Sequence, residues 1–197
     1  MAQRIVLASN NAGKLAEFAA LLQASGAILL PQGRFTAEVA AETGDTFLAN
    51  ALLKARHAAH ASGLPALADD SGLEVDCLEG APGVQSARFA GPNACDADNN
   101  ALLLRKLTGI PTARRGARFR CVLVYLRATD DPEPLICESS WRGRILAEPR
   151  GTGGFGYDPL FLVPELARTA AELTTAEKNV HSHRGQALRA LVNALRR

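Results

Sequence analysis

The opening thirty residues limit the fold of this chain more than any other stretch. Arg4–Ser9, RIVLAS, is a short apolar run that empties into a polar loop, Asn10-Asn11-Ala12-Gly13-Lys14. Leu15, Phe18, Leu21 and Leu22 then recur at helical spacing, and Gly26 supplies a helix stop. Ala27–Pro31 reads as a second strand. Strand, loop, helix and strand in that order build a parallel sheet covered by helices, with the loop at the carboxyl edge where such sheets bind ligands. The first expectation is therefore an α/β fold.

The rest of the chain adds to this unit. Residues 43–62 predict a helix capped by Asp45 or Thr46, with Phe47, Ala51, Leu52, Ala55, Ala58 and Ala59 as its packing stripe and Asn50, Lys54 and His57 on another face. Leu64–Ala68 reads as a buried strand feeding the acidic pair Asp69-Asp70, and Leu73–Val75 continues it. A Gly/Pro-rich loop over 81–93 precedes a short helix at 98–107. Ala117–Ala128 alternates as a long strand, followed by two shorter ones at 135–141 and 143–147 joined by a tight turn. A helix from Arg184 carries Ala187, Leu188, Leu191, Val192 and Leu195 on one face. Successive strands in the second half favour antiparallel pairing, hence a mixed sheet. With no repeat or linker, residues 1–197 are expected to form one domain, long enough to bury a core.

Composition removes several functions. A net charge of +2 argues against a surface built to coat nucleic acid. No apolar run reaches the length that crosses a bilayer, and Met1–Ala8 lacks a signal pattern, so the cytoplasm is expected. Four separated cysteines without a C-x-x-C pair suit reduced, packed thiols.

Four loops concentrate chemistry. Ser9–Lys14, SNNAGK, offers a helix start with a lysine, an arrangement that suits phosphate and equally an ordinary capped helix. Asp69-Asp70-Ser71-Gly72, with Glu42 upstream, suits a hard cation and a general base, or a solvated turn. Glu74 and Asp76 alternate with Leu73 and Val75 and read as the polar face of a strand. RGTGGFGYDP, 150–159, lets backbone approach a ligand while Phe155 and Tyr157 present flat faces; the other reading is a flexible hairpin loop. Lys178, Ser182, His183 and Arg184 gather donors for an anion or a carbonyl, or form a capped first turn.

In order along the chain, LASNNAGK (7–14), ETGDTF (42–47), NALLKA (50–55), LADDSGLEVD (67–76), GAPGVQSARFAG (80–91), GTGGFGYDP (151–159) and SHRGQAL (182–188) resemble the inosine triphosphate pyrophosphatase family almost end to end. The resemblance implies an elongated mixed sheet flanked by helices, two lobes separated by a substrate groove, and a homodimer. It implies that Ser9, Asn10, Asn11, Ala12, Gly13 and Lys14 hold a triphosphate with help from Lys54. Glu42 and Asp70 match the Mg²⁺ acids, Asp70 the general base, Asp69 its supporting acid, and Ser71 lies near substrate. Phe155, Gly156, Tyr157 and Asp158 match the base-binding loop, with Lys178, Ser182, His183 and Arg184 across the pocket. Ala49 stands where the family often has Glu, which leaves Glu42 and Asp70 as the minimum metal pair.

The implied activity is Mg²⁺-dependent hydrolysis of small-molecule purine nucleoside triphosphates with non-standard bases (ITP, dITP, XTP) to monophosphate and pyrophosphate, which cleanses the nucleotide pool. A donor to a 6-oxo group, the Arg184 guanidinium or a backbone N–H, would reject adenine. The rivals are a septum-inhibitor-like nucleotide pyrophosphatase with another base preference, against which GGFGYDP and SHRG argue, and a non-catalytic nucleotide sensor, against which Glu42, Asp69 and Asp70 argue.

Overall fold

In the computed structural model, which describes residues 3–22 and 26–196, the opening apolar run forms β1 (Arg4–Leu7). Its Ile5, Val6 and Leu7 are fully buried, as a parallel strand covered on both faces requires. β1 pairs in parallel with β2 (Ile28–Pro31) and with β3 (Ala66–Val75). The polar loop leads from β1 into α1 (Ala12–Leu22). The side chains of Ala12, Ala20 and Leu21 lie outside the described residues, as do residues 23–25, through which the predicted helix end runs. Gly26 follows at φ 71°.

Thr46 caps α2 (Phe47–Ser62) by accepting from the Ala49 N–H, and Gly63 closes it in the left-handed region. Its buried face comprises Phe47, Asn50, Ala51, Lys54, Ala55, Ala58 and Ala59. Asn50 and Lys54 therefore belong to the buried stripe rather than to a separate polar face. Each has a specific partner there: Asn50 Oδ1 accepts from the Gly44 N–H at 2.8 Å, and Lys54 reaches carboxylates.

The remaining elements are α3 (Asp96–Lys106), β4 (Gly116–Leu126), β5 (Leu135–Ile145), β6 (Phe161–Val163), β7 (Arg168–Thr169), α4 (Thr175–His181) and α5 (His183–Leu195). The strands form one seven-stranded sheet in the order β2-β1-β3-β4-β5-β6-β7. β5, β6 and β7 pair antiparallel beside the parallel β1–β3 part, so the expected mixed α/β sheet is present.

Two local expectations are corrected. Asp69-Asp70-Ser71-Gly72 is neither a turn nor a strand end, because β3 runs unbroken through it. Residues 135–147 are not two strands around a turn, because β5 is continuous through Gly143. A Cβ at Gly143 would lie 2.4 Å from Phe161 Cζ and 2.6 Å from the Leu162 carbonyl, so that glycine serves close strand approach, not chain reversal.

By internal contacts the chain divides into two units, the first from residues 1–70, 121–139 and 184–197, the second from 71–120 and 140–183. The first packs Ile5, Leu7, Phe18, Leu67, Leu123, Tyr125 and Leu188 into its core. The second packs Leu73, Leu103, Phe119, Trp141, Tyr157, Phe161 and Val163. Among the described residues no helix is long and apolar enough to cross a membrane, and all four cysteines are free thiols.

Candidate active site

The β1–α1 loop is shaped by its own side chains. Ser9 Oγ accepts from the Asn11 N–H at 3.1 Å, and Asn11 Oδ1 accepts from the Lys14 N–H at 3.0 Å. The Asn11 carbonyl accepts from the Leu15 N–H at 2.9 Å, which makes Asn11 the N-cap of α1. Asn10 and Gly13 are exposed beside it. Such a helix start favours an anion.

Asp69 and Asp70 are neighbours on β3, so their side chains leave on opposite faces and meet different partners. Asp69 takes Lys14 Nζ at 2.8 Å, Arg184 Nε at 3.4 Å and the Cys121 thiol at 3.3 Å. Asp70 takes Lys54 Nζ at 2.6 Å, and Lys54 also reaches Glu42 at 2.9 Å. Burial alone would raise the Asp69 carboxyl, but Lys14 and Arg184 outweigh it and hold the group well below the usual carboxylate range. Burial raises Asp70; Lys54 pulls it back, Glu42 and Asp69 push it further up, and the net direction is upward. Burial works against the Lys54 ammonium, yet Asp70 and Glu42 raise its pKa. One acid is thus a fixed anion and its neighbour a group that takes up a proton more readily. Ser71 follows on β3, half-buried.

Asp70 Oδ2 is buried and has no hydrogen-bond partner, while its other oxygen shares Lys54 with the half-buried Glu42. An orphaned carboxylate oxygen beside a second carboxylate fits a hard divalent cation, which needs only one or two protein carboxylates and takes water and phosphate oxygens besides. Among the described residues no group of three or more His, Cys, Asp or Glu could hold a metal by itself. The pair fits a cation shared with a substrate.

In the second unit, Asp158 Oδ2 accepts from the Phe155 N–H at 2.9 Å and from Lys178 Nζ at 2.6 Å. It fills the space in front of Gly154, where a Cβ would lie 2.1 Å from that oxygen and φ is 73°. The Lys178 ammonium stands 5.2 Å from the centre of the half-buried Phe155 ring. Gly156 carries a φ of 61°. Tyr157 departs from the stacking expectation: its ring is in the core and its hydroxyl donates to the Ser86 carbonyl at 2.8 Å. Phe155 alone keeps a ring at the loop's partly open surface.

Ser182 ends α4 and is buried, its N–H donating to the Lys178 carbonyl. His183 stacks on Phe119 with ring centres 4.9 Å apart. Arg184 is also buried, and its guanidinium meets Asp69 and Glu17 in the first unit, sharing Asp69 with Lys14. Successive residues of a helix point about 100° apart, which is how two neighbours at the start of α5 part company. Sequence reasoning missed Glu17 and Cys121. Glu17 lies three residues after Lys14 on α1 and so on its face, a readable signal; nothing marked Cys121 beyond strand alternation.

The profile of the Ham1 family matches residues 5–194. The chain belongs to the Ham1 family. Within that family, a dITP/XTP pyrophosphatase of Escherichia coli O157:H7 is 57% identical over 194 residues, covering 98% of each chain. One of Thioalkalivibrio sulfidiphilus is 56% identical over 192 residues, again at 98% of each. Among solved structures, a HAM1 protein from Coxiella burnetii superposes with a TM-score of 0.91 at 51% identity, covering 98% of both chains.

Proposed function

We propose that this protein hydrolyses non-standard purine nucleoside triphosphates such as dITP, ITP and XTP to the monophosphate and pyrophosphate. The observation that carries the reading is 57% identity, over 98% of both lengths, to a relative named for that activity. The site supports it with Asp70, a carboxylate of raised proton affinity paired with Lys54, and with Asp69, which pairs with Lys14 from the start of α1.

In this reading the helix start at Ser9–Gly13 and Lys14 receive the triphosphate, with Lys54 assisting. Asp70 accepts the proton of the attacking water; a new P–O bond forms as the α–β anhydride bond breaks, and the lysines offset charge on departing pyrophosphate. Glu42 and Asp70 would hold Mg²⁺, which supplies charge neutralisation on the phosphates. Asp69 keeps Lys14 and Arg184 in place. Phe155 provides the stacking face for the base, and Asp158 and Lys178 brace the loop around it. Arg184 gives its Nε to Asp69 and Nη1 to Glu17, so either a further N–H of that guanidinium or a backbone N–H serves as the donor to a 6-oxo group. A 6-amino group leaves such a donor unpaired, a discrimination that reaches about 10⁴-fold.

Residues 1–197 act as one two-lobed domain in this reading, as a homodimer in the cytoplasm, where the nucleotide pool lies; the family resemblance supports these assignments. Pyrophosphate release from dITP, XTP, ATP and dGTP, with and without Mg²⁺, is the test. The expected result is fast release from the first two only, abolished by chelation and restored by Mg²⁺. Comparable rates for ATP and dITP would defeat the base selectivity, and binding without turnover would make the protein a sensor.

A further inference from the structure

The loop that carries Phe155 is held from outside itself. Gly156 donates its N–H to Asp96 Oδ2 at 2.6 Å, and its carbonyl accepts from Asn100 Nδ2 at 2.8 Å. Asp96 and Asn100 are four residues apart and share one face of α3. The Asn100 amide nitrogen also donates to the Asp96 carbonyl at 2.8 Å, and two carbonyl acceptors fix which way that amide points. Both hydrogen-bonding groups of a single peptide residue are thereby tied to one helix. Gly156 needs this support, because its φ of 61° belongs to a residue with wide backbone freedom, and no atom stands within 4 Å of where a Cβ would be. The same helix anchors a second loop. Asn99 Oδ1 accepts from the Ala90 N–H at 2.8 Å and its Nδ2 donates to the Ala87 carbonyl at 3.1 Å, close to the Ser86 carbonyl that receives the Tyr157 hydroxyl.

We infer that Asp96 and Asn100 are positioning residues for base recognition: by clamping the Gly156 peptide they set the attitude of the neighbouring Phe155 ring, and with it the affinity for the purine. The inference rests on Phe155 being the stacking face. The clamp touches neither phosphate nor the acids on β3, so its loss should weaken substrate binding and leave the chemical step alone.

Steady-state kinetics on dITP and XTP test this with five proteins: wild type, Asp96→Ala, Asp96→Asn, Asn100→Ala and Asp98→Ala. Loss of a hydrogen bond to a charged acceptor predicts a rise in KM of about tenfold for Asp96→Ala, with kcat within about twofold of wild type. Asp96→Asn keeps an acceptor oxygen for the Gly156 N–H and should recover most of the loss. Asn100→Ala removes the other half of the clamp while leaving Asp96, and should raise KM as well. Asp98→Ala is the control: Asp98 is another first-turn acid of α3 and accepts from the Cys95 N–H at 2.9 Å, but makes no bond to Gly156. It should leave KM unchanged whatever it does to thermal stability. Wild-type KM in both Asp96→Ala and Asn100→Ala overturns the clamp, as does an equal KM rise in Asp98→Ala or a fall confined to kcat. If Asp96→Ala does not fold, Asn100→Ala decides alone. A wild-type protein releasing no pyrophosphate from any purine triphosphate overturns the proposed function and the clamp with it; an active wild type with indifferent variants overturns the clamp only.

Discussion

Asp69 and Asp70 share a peptide bond, yet their surroundings drive their carboxyls in opposite directions from the ordinary value of 3.8. Asp69 is lowered, so the stability it contributes is present above that value and is lost as pH falls through the lower folded-state pKa. Asp70 is raised, so its contribution is complete below that value and is lost as pH rises through the higher folded-state pKa. Near neutral pH the ionised Asp69 therefore supports the fold while the ionised Asp70 burdens it. Asp69→Asn leaves Lys14 and Arg184 facing a neutral group and should cost about 3–5 kcal/mol. Asp70→Asn should cost less than Asp69→Asn, because Glu42 still pairs with Lys54; thermal unfolding of both variants in one neutral buffer checks the order. In activity the order reverses. With Asp70 in its proposed role as general base, Asp70→Asn should lower kcat about 10²–10⁴-fold. The acid limb of the wild-type kcat/KM profile should lie above the ordinary carboxylate range and vanish in that variant. A limb at the ordinary value would remove Asp70 as the base.

At the scale of elements, Gly143 on β5 makes the sharpest prediction. A methyl group there meets the Phe161 ring and the Leu162 carbonyl of β6, so Gly143→Ala should lose about 1–3 kcal/mol, read as a lower urea midpoint. The same residue shows where sequence reading falters. Glycine marks a turn and a close approach alike, and only the partner strand distinguishes them; β6, three residues long, is too short to announce itself. β1, α1 and α2 were legible because apolar spacing over several turns has one solution. Asp-Asp-Ser-Gly carries turn chemistry, and it is strand here because lysines and an arginine from distant segments compensate the acids. The candidate site was legible as a set of motifs, through family resemblance. Its internal pairings were not, since the direction of Arg184 depends on the rotation at the start of α5 and the burial of Tyr157 on the Ser86 carbonyl.

For the whole molecule, the chemistry divides between the two units. The acids and two lysines lie in the first, the aromatic loop in the second. Phe155→Ala should therefore raise KM about tenfold, on the scale of one stacking face, with kcat nearly kept. Lys54→Met should lower kcat, and kinetics of the two variants side by side check the division. The chain enters the first unit, leaves it at Asp70, returns for residues 121–139, leaves again, and comes back at Arg184. A polypeptide emerging from the ribosome thus has every residue of the second unit before the first has its α5. Leu188 and Leu191, which finish that core, are made after its strands and α1, and Arg184 is made after Asp69 and Glu17. Until then Asp69 lacks one of its two cations, so stopping translation before Arg184 should leave Asp69 with Lys14 alone and yield a protein without pyrophosphate release.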